Sequence, residues 1–96
     1  TMHYAISTTW KHDEPIDDAA MEAHMRDTAP MSSTAGVVEV IWFKIDDHTH
    51  GSLLMYESED SYLKHQEELK TYRKSRPGLE LVREERGPTI AIKTQL

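Results

Sequence analysis

Apolar and polar positions alternate with a period of two at the start of the chain. Tyr4, Ile6, Thr8 and Trp10 fall on one side, and His3, Ala5, Ser7 and Thr9 on the other. That period predicts a first strand over residues 2–10. It then lengthens: Ile16, Ala19, Ala20, Ala23 and Asp27 recur at helical spacing, with Asp13 or Glu14 as cap, Pro15 near the first turn and Pro30 as the stop. A helix is expected over about 15–28, followed by a loop through the small polar residues 32–36. Val37–Ile45 is rich in β-branched and aromatic residues and reads as the second strand. Asp46–Gly51 reads as a polar hairpin turn and Ser52–Glu57 as the third strand. Ser58 or Asp60 caps a second helix that runs to about Ser75, ahead of the Pro77-Gly78 breaker. Leu79–Arg86, interrupted at Gly87-Pro88 and resumed through Thr94, is expected to be a fourth strand or a split edge pair, since proline cannot donate to a central ladder.

The order β-α-β-β-α-β is that of the split βαβ, or ferredoxin-like, α+β fold: one antiparallel four-stranded sheet with two helices on one face. A single domain over 2–96 follows, with no internal repeat or linker. A chain of 96 residues buries only roughly 60 to 65% of its unfolded surface when it folds alone. The second strand, however, is apolar on both sides, with Val38, Val40 and Trp42 opposing Val37, Ile41, Phe43 and Ile45. The face not covered by helices therefore calls for apolar cover, and a second copy stacked sheet to sheet provides it, so a two-fold homodimer is expected.

Seventeen acidic against 11 basic residues, a formal charge of -6, argue against a nucleic-acid surface. The one basic cluster, Lys70, Arg73, Lys74 and Arg76, is read as charge complementing a helix C-terminus. The absence of cysteine excludes disulfide scaffolding and thiolate chemistry and fits an intracellular, cytoplasmic setting. No apolar run reaches the roughly 20 residues of a bilayer span, and no charged leader precedes one, so neither membrane anchor nor secretory signal is expected. Thr1, ahead of Met2, is read as a leftover of expression with no role.

Residues 56–65, Tyr-Glu-Ser-Glu-Asp-Ser-Tyr-Leu-Lys-His, join the end of an apolar strand to a helix and carry an aromatic and a titratable residue nine positions apart. Together with Ala35-Gly36-Val37-Val38-Glu39 and the turn at Asp46–Gly51, this stretch resembles the antibiotic-biosynthesis-monooxygenase-like families of dimeric α+β barrels, over about residues 2–94. In those families a proline-glycine pair often leads into the second strand, a tryptophan ends the third, and a histidine lies early in the second helix. Here Ala35-Gly36 and Tyr56 replace the first two, and His65 keeps the third. The resemblance implies a dimeric barrel that acts without a cofactor. The usual glutamate two residues before the tryptophan is Leu54, strand one offers Ser7 and Thr9 but no asparagine, and Arg73 stands near the place of a haem ligand. The resemblance therefore does not extend to haem degradation.

Candidate chemistry centres on the second helix, whose stripe Tyr62, His65/Gln66, Leu69, Tyr72 and Arg76 is expected to face the sheet. His65, as an imidazole, suits a general base acting on an acidic C–H or O–H of a bound small aromatic or apolar metabolite. Trp42, Tyr56, Tyr62 and Leu69 would form the pocket walls, and His24, from the first helix, would converge on the same cavity. An electron-rich anion formed there would react with dioxygen, as the resemblance to these monooxygenases implies, or isomerise. The same walls equally suit a non-catalytic binder of an apolar ligand, and the alternative bland reading makes His65 and His24 surface histidines and the chain a structural or stress-related homodimer. Met21, Met25, Met31 and Met55 read as adaptable lining or as core. His48 and His50 beside Asp46 and Asp47 are of metal-ligand type, but their place at a hairpin tip favours turn chemistry, and no metal is expected.

Overall fold

The computed structural model describes residues 2–96, and Thr1 lies outside them. The chain runs β1 (Tyr4–His12), α1 (Asp18–Thr34), β2 (Val37–Asp46), β3 (Thr49–Tyr56), α2 (Glu59–Lys74) and β4 (Leu79–Pro88), then a short 3-10 turn at Lys93–Gln95. Every pairing is antiparallel and the strand order is β2-β3-β1-β4, the ferredoxin-like arrangement that the alternation of periods predicts. No helix among the described residues is long and apolar enough to cross a membrane.

Several boundaries differ from the sequence reading, each for a local reason. The first strand starts at Tyr4 and continues to His12, because its partners Thr49–Tyr56 and Leu79–Pro88 both extend past Trp10. The first helix starts later than expected: Asp17, not Asp13 or Glu14, is its cap, accepting from the Ala20 amide at 3.1 Å. It also runs through Pro30 to Thr34, so residues 32–34 are helical rather than loop. Past the proline, hydroxyls bond back to helix carbonyls, Ser32 Oγ donating to that of Ala29 at 3.0 Å and Thr34 Oγ1 to that of Pro30 at 3.0 Å. Gly36, at φ 90°, then turns the chain into β2, and a Cβ there would press on Ser61 at 3.0 Å.

The hairpin turn is only Asp47-His48, so Thr49, His50 and Gly51 belong to β3 rather than to a loop. The fourth strand is continuous to Pro88 and does not resume to Thr94. Its irregularity is instead a bulge at Val82, where Thr9 pairs with Arg83 but Trp10 with Leu81. Because β4 is an edge strand, a proline at its end interrupts no interior ladder.

The core is small and aromatic. Tyr4, Ile6, Val37, Tyr56 and Tyr62 are buried, with Val40, Leu54 and Leu69 packed against them. Tyr62 of α2 stacks on Tyr4 at 5.3 Å and meets Tyr56 edge-on at 5.5 Å, fixing the N-terminal half of the helix on the sheet. Toward the other end polar contacts hold the helices: Lys44 reaches Asp18 of α1 at 2.7 Å, and Arg73 of α2 reaches Glu84 of β4 at 2.7 Å. The alanines that recur at helical spacing in α1 are exposed, and the residues it turns partly inward are Met21, His24, Met25 and Thr28.

Candidate functional site

Strand alternation places Thr8, Trp10 and His12 of β1 on the same side as His50, Ser52, Leu54 and Tyr56 of β3, and this is the side that the helices cover. Tyrosine packing fills one end of the space between layers. Where α1 presents slender methionines instead, a cavity of about 400 Å³ remains. Its sheet wall includes Trp10, Val40, Trp42 and Leu54, and its helix wall Met21, Met25, His65, Leu69, Tyr72 and Arg76.

At one end lies Tyr56, fully buried, with its hydroxyl 2.5 Å from His65 Nδ1. Burial, partly opposed by Arg73, pushes the phenol up to about 12, so Tyr56 stays protonated at neutral pH. His65 Nε2 faces Glu68 Oε2 at 3.9 Å. Two tautomers satisfy this geometry. In one, Tyr56 donates to Nδ1 and the Nε2 hydrogen points toward Glu68. In the other, Nδ1–H donates to the Tyr56 oxygen, Nε2 keeps its lone pair for a proton, and the Glu68 carboxylate stabilises the imidazolium that results.

At the opposite end, His12 Nε2 and His50 Nδ1 are 2.6 Å apart. Burial, then the neighbouring His12 and Arg76, push His50 down to about 4. Burial, Arg76 and His48 lower His12 as well. Both rings are therefore neutral near pH 7, one donating to the other. His24 accepts from Arg76 and lies against the Tyr72 hydroxyl. Burial and Arg76 lower its pKa, against an opposing pull from Asp27. Arg76 also donates to Tyr72 at 3.1 Å.

Of the residues singled out by sequence, Trp42, Tyr56, His65 and Leu69 line the cavity together. Tyr62 does not; it is buried in the tyrosine core, where its ring stacks on Tyr4 and meets Tyr56 edge-on. His24 stands behind the lining, its ring stacked near Trp42 at 6.3 Å and Tyr72 at 5.9 Å. Met21, Met25 and Met31 border the cavity, whereas Met55 pairs with Ala5 on the other sheet face. No group of three or more metal-ligand side chains converges among the described residues. His48 sits in the turn, donating from Nδ1 to the His12 carbonyl at 3.1 Å, while His50 points inward from β3.

Sequence reasoning missed His12, took His50 only as a metal-ligand type in a turn, and gave Arg76, though on the helix stripe expected to face the sheet, no role in the site. The strand alternation through Trp10 contained the signal for His12, but the strand was ended too early. His50 was hidden by the overlong turn. Arg76, read both as part of a helix-end charge cluster and as the last residue of the sheet-facing stripe, follows the end of α2 and borders the cavity. Glu68, three residues after His65, is legible from sequence as its neighbour on the helix.

No protein-family model matches the chain, and no curated protein matches it in sequence. Among solved structures, the chain is similar to a dimeric ferredoxin-like protein from an uncultured marine organism, with a TM-score of 0.53 at 14% identity, over 96% of this chain and 90% of that one. At that identity the likeness speaks for architecture alone, and together with the observed strand order it makes this chain a ferredoxin-like α+β protein.

Proposed function

We propose that this chain binds a small apolar or aromatic metabolite between its sheet and helices, and that it works in the cytoplasm as a two-fold homodimer packed through the opposite sheet face. The observation that carries the reading is the cavity of about 400 Å³, bordered by Trp42, Tyr56 and Leu69 with a few convergent polar groups. Ligand sites commonly measure about 300 to 1,000 Å³ and have this mixed lining. The dimer is supported by Ile41, Phe43 and Leu53, about half exposed on the other face at 50, 54 and 43%. The marine protein of similar fold is itself dimeric.

A second reading is favoured by the Tyr56–His65–Glu68 arrangement. It makes the protein a cofactor-independent monooxygenase or isomerase, in keeping with the resemblance to the antibiotic-biosynthesis-monooxygenase-like families. His65 Nε2 would take a proton from an acidic C–H or O–H of the ligand, leaving an anion either to react with dioxygen or to be reprotonated elsewhere. His65→Ala separates the readings once a ligand is in hand. Lost turnover with retained affinity supports catalysis, and retained affinity with no turnover in either protein supports a binder. Failure of every small apolar compound to bind wild-type protein contradicts both.

A further inference from the structure

We propose that the cavity selects an amphipathic carboxylate, with its carboxylate on Arg76 beside the His12–His50 pair and its apolar body running toward Leu54 and Leu69. The inference deepens the binding reading and rests on it.

The two arginines that reach the cavity differ. Arg73 is neutralised by Glu84 at 2.7 Å and lies over the Trp10 ring at 5.3 Å. Arg76 has no carboxylate oxygen within 4.0 Å among the described residues. Its neighbours there are neutral: the Tyr72 hydroxyl, which it reaches at 3.1 Å, His24, which accepts from it, and the paired imidazoles of His12 and His50. Arg76 is only partly exposed, and in a chain of charge -6 a half-buried cation without an acidic partner is an unfilled half of an ion pair. Guanidinium suits a carboxylate in particular, because its parallel N–H groups match the two oxygens.

The neutral histidine pair adds hydrogen-bonding capacity without a competing negative charge. One ring hydrogen is used between His12 and His50, which leaves one more N–H on the pair. Away from this end the lining becomes apolar, with Val40, Leu54 and Leu69, and Glu39 and Glu68 also border the cavity. Glu68 lies beside His65, two helical turns before Arg76, so the cavity is positive at one end and negative at the other. An anion is thereby directed to Arg76 and repelled from the Tyr56–His65 end.

Three chemically matched probes test this: octanoate, octanol and octylamine, titrated into the intact protein while tryptophan fluorescence is followed, since Trp10 and Trp42 both border the cavity. Octanoate is expected to bind at least about tenfold more tightly than octanol, equivalent to about 1.4 kcal/mol. Octylamine should bind weakest. Arg76→Met should remove the octanoate advantage, read as the ratio of octanoate to octanol affinity in the same variant, and Arg76→Lys should retain part of it. If octanol binds wild-type protein as tightly as octanoate, the carboxylate assignment is overturned while the cavity reading stands. If none of the three binds, both fall. The wild-type comparison decides the matter even where Arg76→Met does not fold.

Discussion

Tyr56 and His65, nine residues apart across the β3–α2 junction, share a hydrogen bond of 2.5 Å that joins the floor of the cavity to its helical wall. Tyr56 is fully buried, so removing its hydroxyl leaves the His65 Nδ1 facing apolar surroundings. Tyr56→Phe is expected to destabilise the fold by about 1 to 3 kcal/mol, the usual cost of orphaning one partner of a buried hydrogen bond. In a domain of this size that is a fall in Tm of roughly 4 to 8 °C per kcal/mol, measurable by calorimetry. An unchanged Tm would mean that the bond contributes nothing in solution.

Acid should loosen the other end of the cavity first. The folded chain holds His50 down to about 4, while in the unfolded chain it protonates near its ordinary 6.5. The unfolded state therefore takes up more protons in that interval. The contribution is fully present above pH 6.5 and is lost as pH falls toward 4. His12 and His24, also lowered, act in the same direction. For His50 the loss is at most about 3 kcal/mol. Denaturant melts from pH 7 to 4 should show the decline, and His50→Gln should flatten it. An equally steep decline in the variant would place its origin elsewhere.

Phe43 lies over Gly51 on the helix-free sheet face, so closely that a Cβ on Gly51 would come within 2.2 Å of the ring. Gly51→Ala must displace the ring and is expected to cost about 1 to 3 kcal/mol. In Phe43→Ala the obstruction is gone, so the added Gly51→Ala should cost much less. Chemical denaturation of the two singles and the double measures this coupling, and additive effects would contradict it.

The same face tests the assembly. Ile41→Lys places a charge among exposed apolar side chains without disturbing the buried core and should yield a monomer, whereas wild-type protein is expected to sediment as a dimer. A wild-type monomer at micromolar concentration would contradict the homodimer.

The element order and the unusual apolarity of β2 were legible because both are periodic features: alternation is read from neighbours in sequence and needs no knowledge of tertiary contact. Boundaries were less so. Pro30 reads as a stop, yet the helix continues to Thr34, because a proline removes one amide donor without preventing the residues after it from staying helical. The site divided in the same way. Trp42, Tyr56 and His65 stood out by residue type and by their place at strand and helix junctions. His12 and His50 are 38 residues apart, and their 2.6 Å contact depends on the register of β1 against β3, where Trp10 pairs with His50. Tyr62 shows the converse, an aromatic expected to wall the cavity that is drawn into the core by stacking on Tyr4.

A small apolar molecule is expected to enter between sheet and helices. Titrating isotope-labelled protein with octanol and mapping backbone and indole shifts tests it most directly. Saturable changes are expected at the Trp10 and Trp42 indoles and at the Val40, Leu54 and Leu69 amides, with Ile41, Phe43 and Leu53 unmoved. Changes confined to Ile41, Phe43 and Leu53, or no saturable change at all, would contradict it.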